Sequence, residues 1–317
     1  MIPSMPTVSV CCITYNHERF LAQAIESVLM QKTDFAVELV LGEDCSTDST
    51  RQIALDYQRR YPDRIRLLLP EKNLGVMGNF LATLQASTGT YIALLEGDDY
   101  WTSPDKLQRQ VDILEAHPGC TTCIHDAEEF MDDNSIPPRL FSDKYSAVLP
   151  KHEKEFTQGD IAQYGWFIPT ASMVFRRSAL FPIPEWVHSA FSGDYSLHLL
   201  LTRTGNIYYL PEVMSHYRLH PGGIMSATQN ARIIARNKKQ IFETSYYKQM
   251  VDARYHGRFN EFLEGLHFDQ SARLRQDGNR LESYYNYWKA ISVVGRGRTV
   301  SHLKQLAYQW YQKLTGK

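Results

Sequence analysis

The stretch Tyr91-Ile-Ala-Leu-Leu-Glu-Gly-Asp-Asp-Tyr-Trp101 determines the fold prediction for this chain. Its apolar run, Tyr91–Leu95, is typical of a strand that is buried on both faces of a parallel sheet. The run ends in Glu96-Gly-Asp-Asp99, and a helical pattern begins near Pro104. Open α/β sheets bind ligands beyond the carboxyl ends of their strands, so we expect these three acids at a ligand-binding edge.

Three carboxylates at the end of a buried strand repel one another unless a positive charge lies between them. A hard divalent cation such as Mg²⁺ or Mn²⁺ prefers oxygen ligands and would neutralise them. A solvated acidic turn that caps the following helix explains Asp98 and Asp99 equally well in isolation. The other motifs of the chain decide between these two interpretations.

Strand and helix patterns alternate on both sides of this stretch. The strands predicted before it are Thr7–Ile13, Val37–Leu41 and Ile65–Leu69. The strands predicted after it are Cys120–Ile124, Thr170–Phe175, Ile207–Leu210 and Val213–Leu219. Apolar residues at helical spacing follow each of the early strands, which is typical of βαβ units. The sequence therefore predicts an α/β fold with a mainly parallel sheet flanked by helices.

The pattern changes near residue 225. From there to residue 317, apolar residues recur at helical spacing without a strand pattern, and glycines provide breaks. We predict an α/β domain over residues 1–225 and an α-helical C-terminal region over residues 226–317.

Composition restricts the function classes. The 317 residues carry a formal net charge of -1, which argues against a nucleic-acid partner bound through bulk positive charge. Five cysteines, two of them adjacent in an apolar strand, do not make a disulfide framework. The first residues lack a signal-peptide core, and no apolar run reaches the ~18 residues of a membrane span, so we expect a cytoplasmic protein. Neither a dinucleotide fingerprint nor a P-loop is present.

Short motifs, each weak alone, follow one another in a defined order. The first half contains Val8-Ser-Val10 with Thr14-Tyr-Asn16, Ile25–Gln31, Glu43-Asp-Cys-Ser-Thr-Asp48, Asn73-Leu-Gly75, Gly89-Thr-Tyr-Ile92 and Asp98-Asp99. The second half contains Ser192-Gly-Asp194 and His216-Tyr-Arg-Leu-His220. In this order and spacing they resemble glycosyltransferase family 2. The resemblance implies inverting enzymes with the GT-A fold, a Rossmann-like sheet flanked by helices.

The resemblance implies a role for each residue that matches a family motif. The residues implied in nucleotide-sugar binding are Thr14, Tyr15, Asn16, Asp44, Asn73 and Asp98. Asp99 and His220 are implied as ligands of Mn²⁺ or Mg²⁺, with Asp99 the more direct one. Asp194, at a helix start, matches the general base. Two departures, Glu43 for a commoner Asp and the additional Glu96, remove no oxygen ligand.

The chemistry of these residue types agrees with the implied roles, but each residue also has a purely structural explanation. A carboxylate at Asp44 can accept a hydrogen bond from the imide N–H of uracil or thymine, and it can equally favour a helix N-terminus. Inversion by a single displacement needs a base such as Asp194 at the acceptor hydroxyl, and an N-cap position is compatible with that role. Trp166 and Trp101 are candidates for stacking on an acceptor sugar, although large aromatics are more often core residues.

The resemblance therefore implies a metal-dependent inverting glycosyltransferase. It would move a hexosyl or N-acetylhexosaminyl group from a UDP- or dTDP-sugar to a hydroxyl of a bacterial surface glycan, free or lipid-linked. Residues 1–120 would bind the donor and residues 121–225 would form the acceptor side. A nucleotidyltransferase would need a Gly-rich, basic loop after the first strand, where Thr14-Tyr-Asn-His17 stands instead. A non-catalytic nucleotide-sugar or glycan-binding module remains the alternative, and the sequence leaves a homo-oligomer open.

The C-terminal tail is basic. Between Ser283 and Lys317 there are six Lys and Arg residues and no Asp or Glu. One helical face carries Leu303, Leu306, Ala307, Trp310, Tyr311 and Leu314. This pattern predicts either a final helix packed on its own domain or a helix in peripheral contact with the anionic inner membrane.

Overall fold

The computed structural model describes residues 8–133, 135–220 and 230–294. The chain divides into two compact units, residues 1–226 and residues 227–317. Within the described ranges, no helix combines the length and the apolar character that crossing a bilayer requires.

Over the described residues, a mixed sheet of ten strands lies at the centre of the first unit. Its strands are β1 (Val8–Thr14), β2 (Val37–Glu43), β3 (Ile65–Leu68), β4 (Tyr91–Glu96), β5 (Tyr100–Trp101), β6 (Cys120–Phe130), β7 (Arg139–Leu140), β8 (Lys154–Phe156), β9 (Val174–Arg176) and β10 (Asn206–Arg218). The order is β3-β2-β1-β4-β9-β6-β10-β5, with β7 beside β6 and β8 beside β10. The long strands pair in parallel, and the short ones join them antiparallel.

Helices flank this sheet. They are α1 (Leu21–Leu29), α2 (Thr50–Arg60), α3 (Gly75–Ala86), α4 (Lys106–Ala116), α5 (Phe141–Lys144), α6 (Gln158–Tyr164) and α7 (Gly193–Leu201). The apolar run Tyr91–Leu95 lies in β4, and each of its residues is at most 2% exposed. The predicted α/β fold with its buried central strand is therefore confirmed.

The register of the parallel strands aligns their carboxyl ends at one edge of the sheet. Thr14 pairs with Glu43, and Ile13 pairs with Glu96. Gly97 allows the turn after β4 to approach β1, because a Cβ there would lie 2.5 Å from Thr14 Oγ1. Asn16 has a positive φ of 56° in the loop after β1. Left-handed backbone at a non-glycine residue is uncommon and marks this edge as constrained.

Two details differ from the sequence-based expectation. The strands expected on either side of Pro211 form one strand, β10, whose register shifts between Leu210 and Val213. Proline cannot donate to the ladder, so it interrupts the pairing without ending the strand. The predicted strand Thr170–Phe175 is a 3₁₀ turn, Thr170–Ser172, followed by β9.

The second unit is helical over its described residues. Its helices are α8 (Asn230–Met250), α9 (His256–Gln276) and α10 (Arg280–Val294). Helix α9 packs against both of its neighbours. The amphipathic pattern predicted between Leu303 and Leu314 lies outside the described residues.

Candidate functional site

The loops after β1 and β2 are joined by hydrogen bonds between polar residues. The backbone N–H of Asn16 donates to Ser46 Oγ at 2.9 Å, and Asn16 Oδ1 accepts from the backbone N–H of Thr47 at 2.8 Å. Tyr15, between β1 and Asn16, is exposed. The motif residues Thr14, Tyr15 and Asn16 therefore lie at the carboxyl edge of the sheet, where a ligand of an α/β fold binds.

Asp44 and Asn73 are joined at the same edge. Asn73 Nδ2 donates to the Asp44 carbonyl oxygen at 2.8 Å, and the Leu74 backbone N–H donates to Asp44 Oδ1 at 2.7 Å. Burial raises the pKa of Asp44 above its ordinary value, against the lowering effect of the backbone hydrogen bonds. The Asp44 carboxylate is thus held by the loop that carries Asn73 and Leu74.

Asp98 lies between two histidines. His220 Nε2 is 3.0 Å from Asp98 Oδ2, and His17 Nε2 is 3.6 Å from the same oxygen. One ligand atom from each of the three residues falls within 4.8 Å of the others. Burial favours a higher pKa for Asp98, but the hydrogen bond from His220 and the charges of both histidines hold that pKa below its ordinary value. Asp98 is therefore the ionised carboxylate of the group.

Asp99 is not a member of this group. Its Oδ1 accepts the backbone N–H of Arg218 at 2.8 Å, and its side chain is buried. Burial, reinforced by the charges of Asp98 and Glu96, raises the pKa of Asp99 well above its ordinary value. The sequence suggested Asp99 as the direct metal ligand with His220, whereas the structure brings His220 to Asp98.

Arg218 connects the end of β10 with the turn that carries both acids. Its Nε donates to the Asp98 carbonyl oxygen at 2.9 Å, and its Nη2 donates to Gln23 Oε1 at 2.8 Å. Asp132 pairs with the same guanidinium. The rings around it belong to Phe20, Tyr100 and Phe130, with centroids 4.6, 5.6 and 4.9 Å away. Arg218 binds the backbone carbonyl oxygen of Asp98 and not its side chain. The Asp98 carboxylate therefore remains available to His17 and His220.

Asp194 lies at the start of α7, and both of its carboxylate oxygens accept hydrogen bonds. Oδ1 accepts from Ser192 Oγ at 3.1 Å and from the Tyr195 backbone N–H at 2.8 Å. Oδ2 accepts from the indole Nε1–H of Trp166. Burial raises the pKa of Glu96 to about 8, and the charges of Asp98 and Asp194 add to that effect. Asp194 therefore belongs to the same electrostatic environment as the acids after β4.

The two tryptophans suggested as acceptor residues occupy different surroundings. Trp101 is 1% exposed, donates to the Ala171 carbonyl oxygen at 2.9 Å and has Lys106 Nζ 4.0 Å from its ring centroid. A sugar cannot stack on a ring that is buried in the core, so the structure does not place Trp101 at an acceptor site. Trp166 is partly exposed, and the rings of Phe141 and Tyr145 lie beside it.

Sequence reasoning missed His17 and Arg218. His17 directly follows the motif Thr14-Tyr-Asn16, and Arg218 lies inside His216–His220, so both were within stretches already singled out. Only their contacts with Asp98 bring them into the candidate site. Since His17 and Asp98 lie far apart in the chain, no local pattern predicts that they meet.

The donor atoms of the group suit a divalent cation. Two imidazole nitrogens and one carboxylate oxygen form a set that binds Mn²⁺ and other first-row divalent ions, whereas Mg²⁺ prefers oxygen ligands. Three protein ligands leave coordination positions for oxygen atoms of a substrate. The residues present therefore fit a resident divalent metal.

A family model described as Glycosyl transferase family 2 matches residues 9–181, which is more than half of the chain. The chain belongs to glycosyltransferase family 2. An uncharacterised glycosyltransferase of Nostoc sp. is 31% identical over 307 residues, covering 92% of this chain and 88% of that protein. An uncharacterised protein of Mycobacterium tuberculosis is 36% identical over 232 residues, covering 71% of this chain and 62% of its own length.

Among solved structures, the chain is similar to the mannosyltransferase PcManGT from Pyrobaculum calidifontis in complex with GDP-Man and Mn²⁺. The TM-score is 0.59 at 16% identity, and the match covers 97% of this chain and 81% of the other. At this identity the similarity concerns the fold, which is GT-A. The predicted family and fold are thus confirmed.

Proposed function

We propose that this protein is a divalent-metal-dependent inverting glycosyltransferase. It transfers a hexosyl or N-acetylhexosaminyl group from a nucleotide-sugar, UDP- or dTDP-linked, to a hydroxyl of a bacterial surface glycan. The observation that carries the proposal is the position of Asp98 between His17 and His220, in one electrostatic environment with Asp194. This arrangement joins a metal-binding group to a carboxylate base at the ligand edge of a GT-A sheet.

The nucleoside part of the donor binds at the loops after β1 and β2. Asp44 presents a carboxylate oxygen that can accept from the imide N–H of uracil or thymine, and Asn73 and Leu74 hold that carboxyl in place. Tyr15 and Asn16 border the same loops. Thr14 is buried against the Gly97 turn, so it positions the loop after β1 beside the acids.

Asp98, His220 and His17 hold the metal, and Asp99 fixes the turn by accepting from Arg218. When bound, the metal stabilises the negative charge of the departing diphosphate. The Mn²⁺ in the structure of PcManGT supports a divalent ion in this fold. The two imidazole donors favour Mn²⁺ over Mg²⁺ here.

Asp194 accepts the proton of the acceptor hydroxyl. An ionised carboxylate has about four lone-pair sites, and the hydrogen bonds from Ser192, Tyr195 and Trp166 use three of them. These donors fix the orientation of the carboxylate and leave a site on Oδ2 for the hydroxyl. Trp166 therefore contributes to the acceptor side by orienting Asp194, in addition to any contact of its ring with a sugar.

The acceptor is a glycan hydroxyl, free or lipid-linked, and the enzyme acts in the cytoplasm with a peripheral membrane contact. Relatives named for polysaccharide synthesis support this class, among them a succinoglycan biosynthesis protein of Rhizobium meliloti. A binding module without activity is the competing function. It predicts donor binding with no release of a nucleoside diphosphate.

A thermal-shift panel of UDP-, dTDP- and GDP-sugars, each with and without Mn²⁺, tests the proposal. We expect a donor-dependent rise in Tm that requires Mn²⁺, and release of the matching diphosphate in the same mixtures. Asp98→Asn should abolish this Mn²⁺-dependent shift, whereas Asp99→Asn should retain it, because an amide oxygen still accepts from Arg218. Full turnover in excess chelator, or the opposite ranking of the two variants, would contradict the metal assignment.

A further inference from the structure

Helix α10 exposes a continuous apolar stripe. The stripe consists of Leu281, Tyr284, Tyr285 and Trp288, at positions i, i+3, i+4 and i+7 of one helical face. These side chains are between 58% and 85% exposed. In a helix packed on a protein core, residues at this spacing normally face inward.

The opposite face of α10 is the buried one, and its buried residues, Ser283, Asn286 and Ala290, are polar or small. Ser283 Oγ donates to the Ser271 carbonyl oxygen of α9 at 2.8 Å, and Asn286 Oδ1 lies 3.0 Å from His267 Nδ1 of α9. Ala290 is completely buried. These polar contacts set the rotation of α10 on α9, because turning the helix inward would leave buried hydrogen-bonding groups of α9 without partners. The exposed stripe is therefore a fixed feature of this helix.

We propose that the stripe of α10 docks on the surface of a bilayer that contains anionic lipid. The helix would lie in the plane of the interface with Leu281, Tyr284, Tyr285 and Trp288 directed into the boundary between headgroups and acyl chains. The stripe belongs to the second unit, and in the chain it precedes the tail pattern between Leu303 and Leu314.

The residue types favour a lipid surface as the partner. Tyrosine and tryptophan are enriched where a bilayer meets water, since each joins an apolar ring to a polar group. Exposed Arg280 and Lys289 lie at the two ends of the stripe. From Ser283 to Lys317 the sequence has six basic residues and no acidic one, which complements anionic headgroups.

A second copy of the chain fits the stripe less well. A stable protein interface takes about 20–30 residues from each partner, whereas this stripe has four. Two copies joined through α10 would also bring Arg280 and Lys289 of both chains together. Repulsion between like charges would oppose that contact, while the same charges attract an anionic bilayer.

Co-sedimentation of the full-length protein with vesicles tests the docking. The probes are vesicles of phosphatidylcholine alone and of equimolar phosphatidylcholine and phosphatidylglycerol. We expect binding to the anionic vesicles, and a loss of about tenfold or more in the Tyr284→Ser/Tyr285→Ser/Trp288→Ser variant. Tyr61→Ser is the matched control, because it removes an exposed tyrosine of the first unit and should leave vesicle binding unchanged.

A second measurement does not depend on the triple variant. Phospholipids with brominated acyl chains quench tryptophan that enters the acyl boundary, and Trp288→Phe should keep binding while losing part of that quenching. Unchanged quenching in Trp288→Phe, or wild-type binding by the triple variant, overturns the proposal. The proposal is also overturned if the wild-type protein does not bind anionic vesicles at low salt. A concentration-dependent dimer that the triple substitution abolishes, in a protein that binds no vesicles, would overturn it as well. The donor-induced Tm shift is measured without vesicles, and vesicle binding is measured without donor. Failure of the catalytic assignment is therefore distinguished from failure of docking.

Discussion

At the scale of single residues, the adjacent acids Asp98 and Asp99 have opposite environments. The hydrogen bond from His220 and the nearby histidine charges hold the pKa of Asp98 low, whereas burial raises the pKa of Asp99. Asp98 therefore stays ionised beside the imidazole nitrogens of His17 and His220, and Asp99 accepts a hydrogen bond from the backbone of β10. The two neighbouring carboxylates of one motif thus differ in ionisation and in partners.

Asp194 gives a prediction at this scale. We expect Asp194→Asn to lower turnover by about 10²–10⁴-fold, because an amide cannot take the acceptor proton. Donor affinity should change little, since an amide oxygen can still accept from Ser192 and Tyr195 and so keeps the side chain in place. The measurement is kcat from diphosphate release beside the donor-dependent Tm shift. Equal loss of donor binding would show that Asp194 is structural.

At the scale of secondary-structure elements, Arg218 joins the end of β10 to the turn after β4 and to α1. Its guanidinium contacts the Asp98 carbonyl oxygen, Gln23 and Asp132, while its backbone N–H binds Asp99. Two elements far apart in the chain are thereby locked at the candidate metal group. Arg218 is buried, and a low local dielectric strengthens these contacts.

We predict that Arg218→Lys lowers the free energy of unfolding by about 1–3 kcal/mol, because an ammonium cannot make the three contacts of a buried planar guanidinium and leaves a buried acceptor without its partner. Affinity for Mn²⁺ should fall by about 10–100-fold, as for the loss of other groups that orient metal ligands. Chemical denaturation and a Mn²⁺ titration measure the two effects.

Arg109→Lys is the matched control for that substitution. Arg109 pairs with Glu212 on the surface, with both side chains more than 40% exposed, so its replacement should cost at most about 1 kcal/mol. Similar destabilisation by both substitutions, or an unchanged Mn²⁺ affinity in Arg218→Lys, would contradict a positioning role for Arg218.

At the scale of the whole molecule, the chain combines a GT-A unit with a helical unit whose last segment is basic. Three basic residues, Lys304, Lys313 and Lys317, follow Arg298. Each basic residue near an anionic surface contributes about 1 kcal/mol, and added salt screens that contribution. The helical unit is thus a candidate to bring the enzyme to a membrane that carries lipid-linked acceptors.

A truncation that ends at Arg298 tests the tail apart from α10. We expect it to bind anionic vesicles more weakly than the full-length chain at low salt, with the difference shrinking as salt is raised. Binding that remains should depend on Trp288 and its neighbours. If the truncated and full-length proteins sediment equally at every salt concentration, the tail between Leu303 and Leu314 makes no membrane contact.

The sequence by itself determined the architecture and the family. The apolar run Tyr91–Leu95 predicts the buried strand because five consecutive apolar residues are typical of a strand covered on both faces. The ordered motifs from Val8 to His220 resemble glycosyltransferase family 2, and that resemblance implies the GT-A fold. These signals are local, and a local pattern needs no knowledge of long-range contacts.

Only the tertiary structure decided which side chains meet. Asp98 and His220 are 122 positions apart, and the choice of Asp98 over Asp99 depends on the direction in which each side chain leaves one turn. The burial of Trp101 and the outward stripe of α10 are likewise set by neighbours, Lys106 and Ala171 in one case and α9 in the other. The physical reason is common to all of them. Side-chain contacts at large sequence separation are created by packing, and packing is a property of the folded chain.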